Sequence, residues 1–339
     1  MDTLTSLLER NAEAALAKVN HAPLAKRAVL LTGATGLIGQ NLAAALRKAG
    51  AKVVTPGRTL PTISGSYDYI IHAAGYAQPA KFMADPMGTI AVNTTMLMDL
   101  LQRLSPSGRL LYISTSEVYS GSTRSMHNEN DIGTTNPAGA RAAYIESKRC
   151  GEAICHAARL AGKHTIIARV SSVYGPGVKP KDTRVLSQFI DAALNDGEIV
   201  LKDGGTARRV FLYVSDAVEM LLNLLLHGEC PIYNVGGPGQ AGTSHDYGNI
   251  NGATAILTLA RKVGELMKVP VKMPGGQKFA YQTRIGGSGV PGAPDHVAVD
   301  ISRYLREMGD KAFVPLDEGL KHTIAWHRML AGEKVGVAA

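Results

Sequence analysis

Residues Ala28-Val29-Leu30-Leu31-Thr32 form a continuous apolar run closed by a threonine. Such a run, bounded by turns, predicts a strand buried on both faces of a parallel sheet. Segments 52–55, 69–74, 109–114 and 165–170 read the same way. Between them, apolar positions recur at three and four residues and predict helices over 40–49, 90–104 and 141–161. Strands alternating with helices imply a doubly wound, parallel α/β sheet. Residues 1–27 read as an extra amphipathic helix, with Leu4, Leu7, Leu8, Ala15, Leu16 and Val19 on one stripe. Its expected role is to cover an apolar patch or to make a subunit contact. Beyond residue 171 the pattern becomes irregular. Helices are predicted at 183–195, 215–226, 254–268 and 316–328, and the glycine-rich stretches 236–252 and 286–294 read as loops.

The turn after the first strand carries Gly33-Ala34-Thr35-Gly36-Leu37-Ile38-Gly39. Glycines at this spacing, between a strand and a helix, permit a tight turn and close approach of backbone to a pyrophosphate at the helix N-terminus. Gly33, Thr35, Gly36, Leu37, Ile38 and Gly39 are therefore candidate dinucleotide contacts. The end of strand two reads Thr55-Pro56-Gly57-Arg58, without the acid that usually takes the ribose hydroxyls. Arg58 as a ligand for a 2′-phosphate keeps NADP open beside NAD; the plain alternative is a solvated loop residue. The domain expectation is a helical extension at 1–27 and a dinucleotide-binding Rossmann domain at 28–171. A smaller α/β subdomain, mainly substrate-binding, is expected at 172–339.

About a hundred residues after the glycine turn comes Ala143-Tyr144-Ile145-Glu146-Ser147-Lys148-Arg149. The four-residue spacing puts Tyr144 and Lys148 on one helix face. There a lysine ammonium is expected to lower the pKa of the phenol, which then exchanges a proton with an alcohol while hydride moves to or from a nicotinamide. By itself the spacing also describes an ordinary exposed helix face; the glycine turn and Ser114-Thr115-Ser116-Glu117 after an apolar strand are what raise it. His72 reads as structural and Asn93 as a polar bridge between sheet and helix, with no cluster pointing to a metal.

The net charge of +8 admits a nucleic-acid partner, but the basic residues are scattered and aromatics make up 5%. Anionic small molecules such as nucleotides fit better. Mean hydropathy near zero and the lack of a long apolar run predict a soluble chain without a membrane span. Three cysteines without a CxxC pattern suit the reducing cytoplasm.

Taken in chain order, several motifs resemble the extended short-chain dehydrogenase/reductase family that acts on nucleotide sugars. They are the glycine turn, His72-Ala73-Ala74-Gly75, Asn93-Thr94, Ser114 to Tyr119, Tyr144 with Lys148-Arg149, and Val173-Tyr174-Gly175-Pro176. Within that family the chain is most similar to UDP-glucuronic acid decarboxylases, through 72–86, 114–119, 182–190, 209–216, Asp300-Ile301-Ser302 and 315–320. The resemblance implies Tyr144 as base at the sugar C4 hydroxyl and Lys148 on the nicotinamide ribose. Thr115 would bond the same hydroxyl, with Ser116 and Glu117 at C5 and C6. It places Ala73, Ala74 and Asn93 at the cofactor, and Gln78, Ser172, Arg184 and Arg209 at the substrate. It also implies a homodimer through residues 90–104 and 143–161. The implied reaction is transient NAD(P)-dependent oxidation at C4 followed by decarboxylation. The alternatives are 4,6-dehydration, epimerisation, 4-keto reduction, or a non-catalytic dinucleotide-binding role. The chain departs from the decarboxylases in four places, the first being the missing acid after strand two. The arginine expected just before Asp300 is absent, Ser172 replaces an asparagine, and 236–252 looks like an insertion.

Overall fold

A computed structural model describes residues 3–57, 65–237, 253–274, 296–333 and 335. Helix α1 (Leu4–Leu16) precedes β1 (Ala28–Thr32), α2 (Leu37–Lys48), β2 (Lys52–Val54) and β3 (Tyr67–His72). Then come α3 (Pro79–Ala84), α4 (Pro86–Asn93), α5 (Thr95–Gln102), β4 (Leu104–Thr115), α6 (Ala142–Leu160) and β5 (His164–Val170). The second half adds β6 (Ser172–Tyr174), α7 (Val185–Asn195), β7 (Ile199–Val200), β8 (Arg208–Arg209), β9 (Phe211–Tyr213), α8 (Val214–His227) and β10 (Ile232–Val235). After these lie β11 (Thr254–Ala255), α9 (Ile256–Met267), β12 (Val271–Lys272), β13 (His296–Val297), α10 (Ser302–Met308) and α11 (Leu316–Leu330).

Six strands form the main sheet, in the order β10-β5-β4-β3-β1-β2, with every neighbouring pair parallel. Leu30, Leu31, Ile70, Ile71, Leu110, Leu111 and Ile166 are completely buried, as helices on both faces require. From β1 the chain steps outward to β2, then crosses back to lay β3 on the other side. This reversal opens a crevice at the carboxyl ends of β1 and β3, where ligands bind in such sheets. The glycine turn follows β1, Ala73-Ala74 follow β3, and Thr115 ends β4.

The helix expected over 90–104 is two helices, broken at Thr94 (φ −120°, ψ −75°). Two consecutive side chains bond back onto the preceding turn: Asn93 Nδ2 donates to the Thr89 carbonyl (3.0 Å) and Thr94 Oγ1 to the Ile90 carbonyl (2.8 Å). Such bonds compete with the backbone ladder and end the helix. The division expected at 171/172 is not clean either. β10 pairs with β5, and α8, buried nearly all round, packs on β4 and β5. Residues after 171 therefore complete the main sheet as well as forming the small sheets β6–β9, β7–β12 and β11–β8–β13.

The helix expected over 1–27 is confined to Leu4–Leu16, and it covers α2 and α8. Leu7, Ala12 and Ala15 are buried there. Within this apolar contact, Asn11 Nδ2 donates to Asn41 Oδ1 (2.9 Å), and Asn41 Nδ2 donates to the Leu37 and Pro176 carbonyls (2.9 and 2.8 Å). Tyr213 donates its hydroxyl to Asn11 Oδ1 (3.0 Å). Asn41→Leu would leave the Asn11 amide and the Pro176 carbonyl buried and unpaired. It should destabilise the fold by about 2–4 kcal/mol, read as a lower urea midpoint at unchanged slope; a shift below about 1 kcal/mol would show that this network contributes little.

Candidate active site

Helix α6 approaches β4 closely because residue 151 is glycine: a Cβ there would lie 2.3 Å from the Tyr112 hydroxyl and 2.9 Å from the Asn93 carbonyl. The approach seats Tyr144 and Lys148 in the seam, 6% and 5% exposed. The Tyr144 phenol hydrogen-bonds Thr115 at the end of β4. The Lys148 ammonium donates to the Ile113 carbonyl (2.7 Å) and lies 4.8 Å from the centre of the Tyr112 ring. Burial pulls the Lys148 pKa down to about 7, against the attraction of Glu152 one turn along α6. For Tyr144, burial and then the Glu117 charge push the phenol well above its ordinary value, opposed by Thr115, Arg141 and Arg184. The expected lowering by Lys148 is thus not what this geometry produces. Desolvation outweighs every cation near the phenol, and the Lys148 ammonium is engaged with a backbone carbonyl.

Ser116 is buried at the start of the short turn Ser116–Tyr119, and Glu117 follows it with its backbone N–H donating to Thr115 Oγ1 (3.2 Å). The Glu117 carboxylate is gripped by Arg141, whose Nε donates to it at 3.1 Å and whose Nη2 reaches both oxygens. The Arg141 guanidinium also lies over the Phe82 ring (5.1 Å), and Phe82 stacks on Tyr144 (4.7 Å, 5° between planes). Neither residue had an expected role: Arg141 stood only at the start of a predicted helix, and Phe82 only within the 72–86 stretch that resembles the decarboxylases. Arg141 precedes Tyr144 by one helical turn, a spacing that could have drawn attention to it, whereas Phe82 comes from α3, which no apolar periodicity announced.

The remaining expected residues divide by place. Gln78 Nε2 donates to Asp182 Oδ2 (2.7 Å), and Arg184 holds the same carboxylate through Nε (2.9 Å) and Nη2 (2.7 Å). Asp182, which opens the 182–190 resemblance but had no expected role, thus joins Gln78 to Arg184 beside Tyr144, so in this structure the Arg184 fork is engaged by a carboxylate. Ser172 is exposed at the start of β6. Arg209 stands in β8 of the three-stranded sheet, with Nη1 on the Arg208 carbonyl (2.7 Å). Asn93 is fully buried and, as a bridge, donates to Ser147 Oγ (3.0 Å), spending its amide on protein partners. Arg58 lies outside the described residues, as do 238–252 and 286–294.

The glycine turn fits a dinucleotide. Gly33 has φ +71°, and a Cβ there would fall 2.5 Å from the Ala73 carbonyl group; at Gly39 it would fall 2.1 Å from the Gly33 carbonyl oxygen. Gly36 caps α2 without any side-chain hydrogen bond, leaving the first turn of the helix to an anion. Below the turn His72 is completely buried, and burial with the nearby Lys148 charge lowers its pKa to about 3. The neutral ring places Nε2–H on the Val92 carbonyl (2.9 Å) and accepts the Thr32 hydroxyl at Nδ1 (2.7 Å). Thr32 Oγ1 in turn accepts the Ala74 N–H (3.2 Å). His72 is structural, as expected, and it fixes the strand ends around the crevice. No group of ligands able to hold a metal occurs among the described residues.

The profile of the NAD dependent epimerase/dehydratase family matches residues 60–236. The chain belongs to this family. UDP-glucuronic acid decarboxylase 1 of Xenopus tropicalis is 28% identical over 329 residues, 89% of this chain and 72% of the relative. UDP-glucuronic acid decarboxylase 6 of Arabidopsis thaliana is 33% identical over 257 residues, 75% of this chain and 67% of the relative. Among solved structures, the UDP-glucose 4-epimerase of Thermotoga maritima superposes with a TM-score of 0.71 at 20% identity, covering 90% of this chain and 99% of the other; this likeness concerns the fold.

Lys148 has a folded pKa below that of the unfolded chain. Below about pH 7 the folded protein carries a desolvated ammonium and the destabilisation is complete. Between about 7 and the ordinary lysine value near ~10.4 the unfolded chain holds the extra proton, so stability rises with pH. Lys148→Met should therefore raise the melting temperature near pH 6, with the gain disappearing by about pH 10.5. A gain independent of pH, or a loss near pH 6, would contradict the buried ammonium.

Proposed function

We propose that the chain converts a nucleoside-diphosphate hexuronate by transient oxidation at sugar C4, as a UDP-glucuronate decarboxylase does. The observation that carries this reading is the convergence of Thr115, Tyr144 and Lys148 beside the Glu117–Arg141 pair, in a chain whose relatives over most of its length bear that name. When bound, the nicotinamide supplies reversible hydride acceptance at C4. Burial keeps the Tyr144 phenol protonated, so it acts as a relay. As it takes the C4 hydroxyl proton it releases its own toward Lys148, which accepts one above about pH 7. The relay reverses when hydride returns, and Thr115 orients that hydroxyl. Lys148, with a pKa near the operating pH, can pass a proton without a large energetic step. A C4 ketone stands β to the C6 carboxylate. Carbon dioxide can then leave with the C5–C6 electron pair passing into a C4–C5 enolate, whose oxygen Tyr144 and Thr115 stabilise.

Arg141 supplies the positive charge that Glu117 and a substrate carboxylate together need. Its Nη1 is buried and has no hydrogen-bond partner among the described residues, and we assign it to the C6 carboxylate, in place of the arginine missing before Asp300. The Glu117 carboxylate favours one second reading, 4,6-dehydration, in which it would take the C5 proton. Substrate handling falls to the part of 172–339 that carries Asp182 and Arg184, and the choice between NAD and NADP stays with the binding test below. Cys150, Cys155 and Cys230 are unpaired, in accord with a cytoplasmic enzyme. No helix among the described residues is long and apolar enough to cross a membrane. A homodimer is proposed through α4, α5 and α6, because Met87 and Met98 are 73% and 48% exposed on the first two.

Mass spectrometry of products from UDP-glucuronate and neutral UDP-, GDP-, CDP- and dTDP-sugars tests the reaction. Loss of carbon dioxide from UDP-glucuronate is expected, and Tyr144→Phe should slow it about a thousandfold while leaving dinucleotide binding intact. Loss of water from a hexose would favour the dehydratase, and unchanged masses throughout would leave epimerisation or a non-catalytic role. Light scattering should give twice the chain mass, and Met98→Glu should halve it; a monomeric wild type would discard the dimer.

A further inference from the structure

Resting on the dinucleotide site described above, we propose that Lys179 is a phosphate-binding residue of that site, held over the glycine turn by a loop from the second half of the chain. The first turn of α2 lacks a side-chain cap and offers backbone N–H groups and the positive end of the helix dipole to an anion. Lys179 Nζ lies 3.2 Å from Thr35 Oγ1, within that turn, and both side chains are exposed, so a ligand can reach between them. The chain thereby adds a full positive charge where the helix terminus supplies only a partial one. At the other end of the expected cofactor, β2 runs into Thr55-Pro56-Gly57 with no acid for the ribose hydroxyls. A stronger grip on the diphosphate compensates for that missing contact.

The placement of Lys179 does not depend on its own flexible side chain. Three successive carbonyls just before it are each held by a different side chain. Asn41 Nδ2 donates to Pro176 O (2.8 Å), Gln40 Nε2 to Gly177 O (2.9 Å) and Trp326 Nε1 to Val178 O (2.8 Å). Asn41 and Gln40 belong to α2 itself, and Gln40 also reaches the Thr35 carbonyl (3.3 Å). Gly177 has φ +109°, and a Cβ there would press within 2.9 Å of Asn41 Nδ2 and 3.1 Å of the Leu37 carbonyl. Val178 is buried at 4% exposure, and the next residue emerges at the glycine turn. On the loop's side these contacts use backbone carbonyls alone, so exchanging the Lys179 side chain leaves the loop in place. Diphosphate is favoured over a 2′-phosphate because Lys179 meets the turn at Thr35, beside the uncapped helix terminus.

Trp326 is the sole tryptophan of the chain, and its bond to Val178 makes its emission a local reporter of this loop. Calorimetric titration of the full chain with NAD+ and NADP+, with Trp326 emission followed in parallel, tests the assignment. Lys179→Met should raise Kd about five- to tenfold for both dinucleotides and flatten the dependence of Kd on salt. Lys179→Arg should stay within about twofold of wild type, and neither variant should change the melting temperature. An unchanged Kd in Lys179→Met, or a loss confined to NADP+, would overturn the assignment to the diphosphate. A wild type that binds neither dinucleotide would instead overturn the cofactor site itself.

Discussion

The close contact of α6 with β4 is the constraint on which the rest of the site depends. Residue 151 leaves no room for a side chain against Tyr112 and the Asn93 carbonyl. One turn back along α6, Lys148 reaches the Ile113 carbonyl; two turns back, Tyr144 meets Thr115. A larger residue at 151 would lift the helix and move both groups by a distance that proton transfer does not tolerate. The Asn93 amide, bonded to Ser147, ties α4 to the same helix, and the break after it turns the chain into α5.

The same closeness sets the electrostatics. Burial makes the charged forms of both Lys148 and Tyr144 costly, so each is poised toward neutrality. Carboxylates around them are individually tied down by arginines: Glu117 by Arg141, Asp182 by Arg184 and Glu152 by Arg169. Ser114 also donates to Glu152, fixing the charge that opposes the lowering of the Lys148 pKa. A site made from such pairs can accept an anionic substrate without first expelling a fixed negative charge, because an arginine already accompanies each carboxylate.

Those parts of the molecule that depend on neighbouring residues in the chain could be read from sequence. The glycine turn, the apolar strands and the Tyr144–Lys148 spacing are of this kind, and the helices around them differ from expectation by a few residues. What depends on distant partners could not be read. The break at Thr94 follows from two side chains folding back on their own helix, which apolar periodicity does not register. The return of β10 to the edge of the main sheet depends on β5, about sixty residues earlier. Arg141 carried no signal beyond its spacing from Tyr144, since its meaning comes from Glu117, twenty-four residues away, and from Phe82. The expected effect of Lys148 on Tyr144 followed from charge alone and omitted the desolvation that accompanies burial.

The central claim is that hydride leaves C4 of the sugar and returns to the same carbon while Tyr144 manages the proton. It is tested most directly with UDP-glucuronate carrying deuterium at C4. The account predicts a pentose product that retains the deuterium at C4, formed with release of carbon dioxide and without net consumption of dinucleotide. Deuterium accumulating in free reduced dinucleotide, or a product formed with the label lost to solvent, would contradict it.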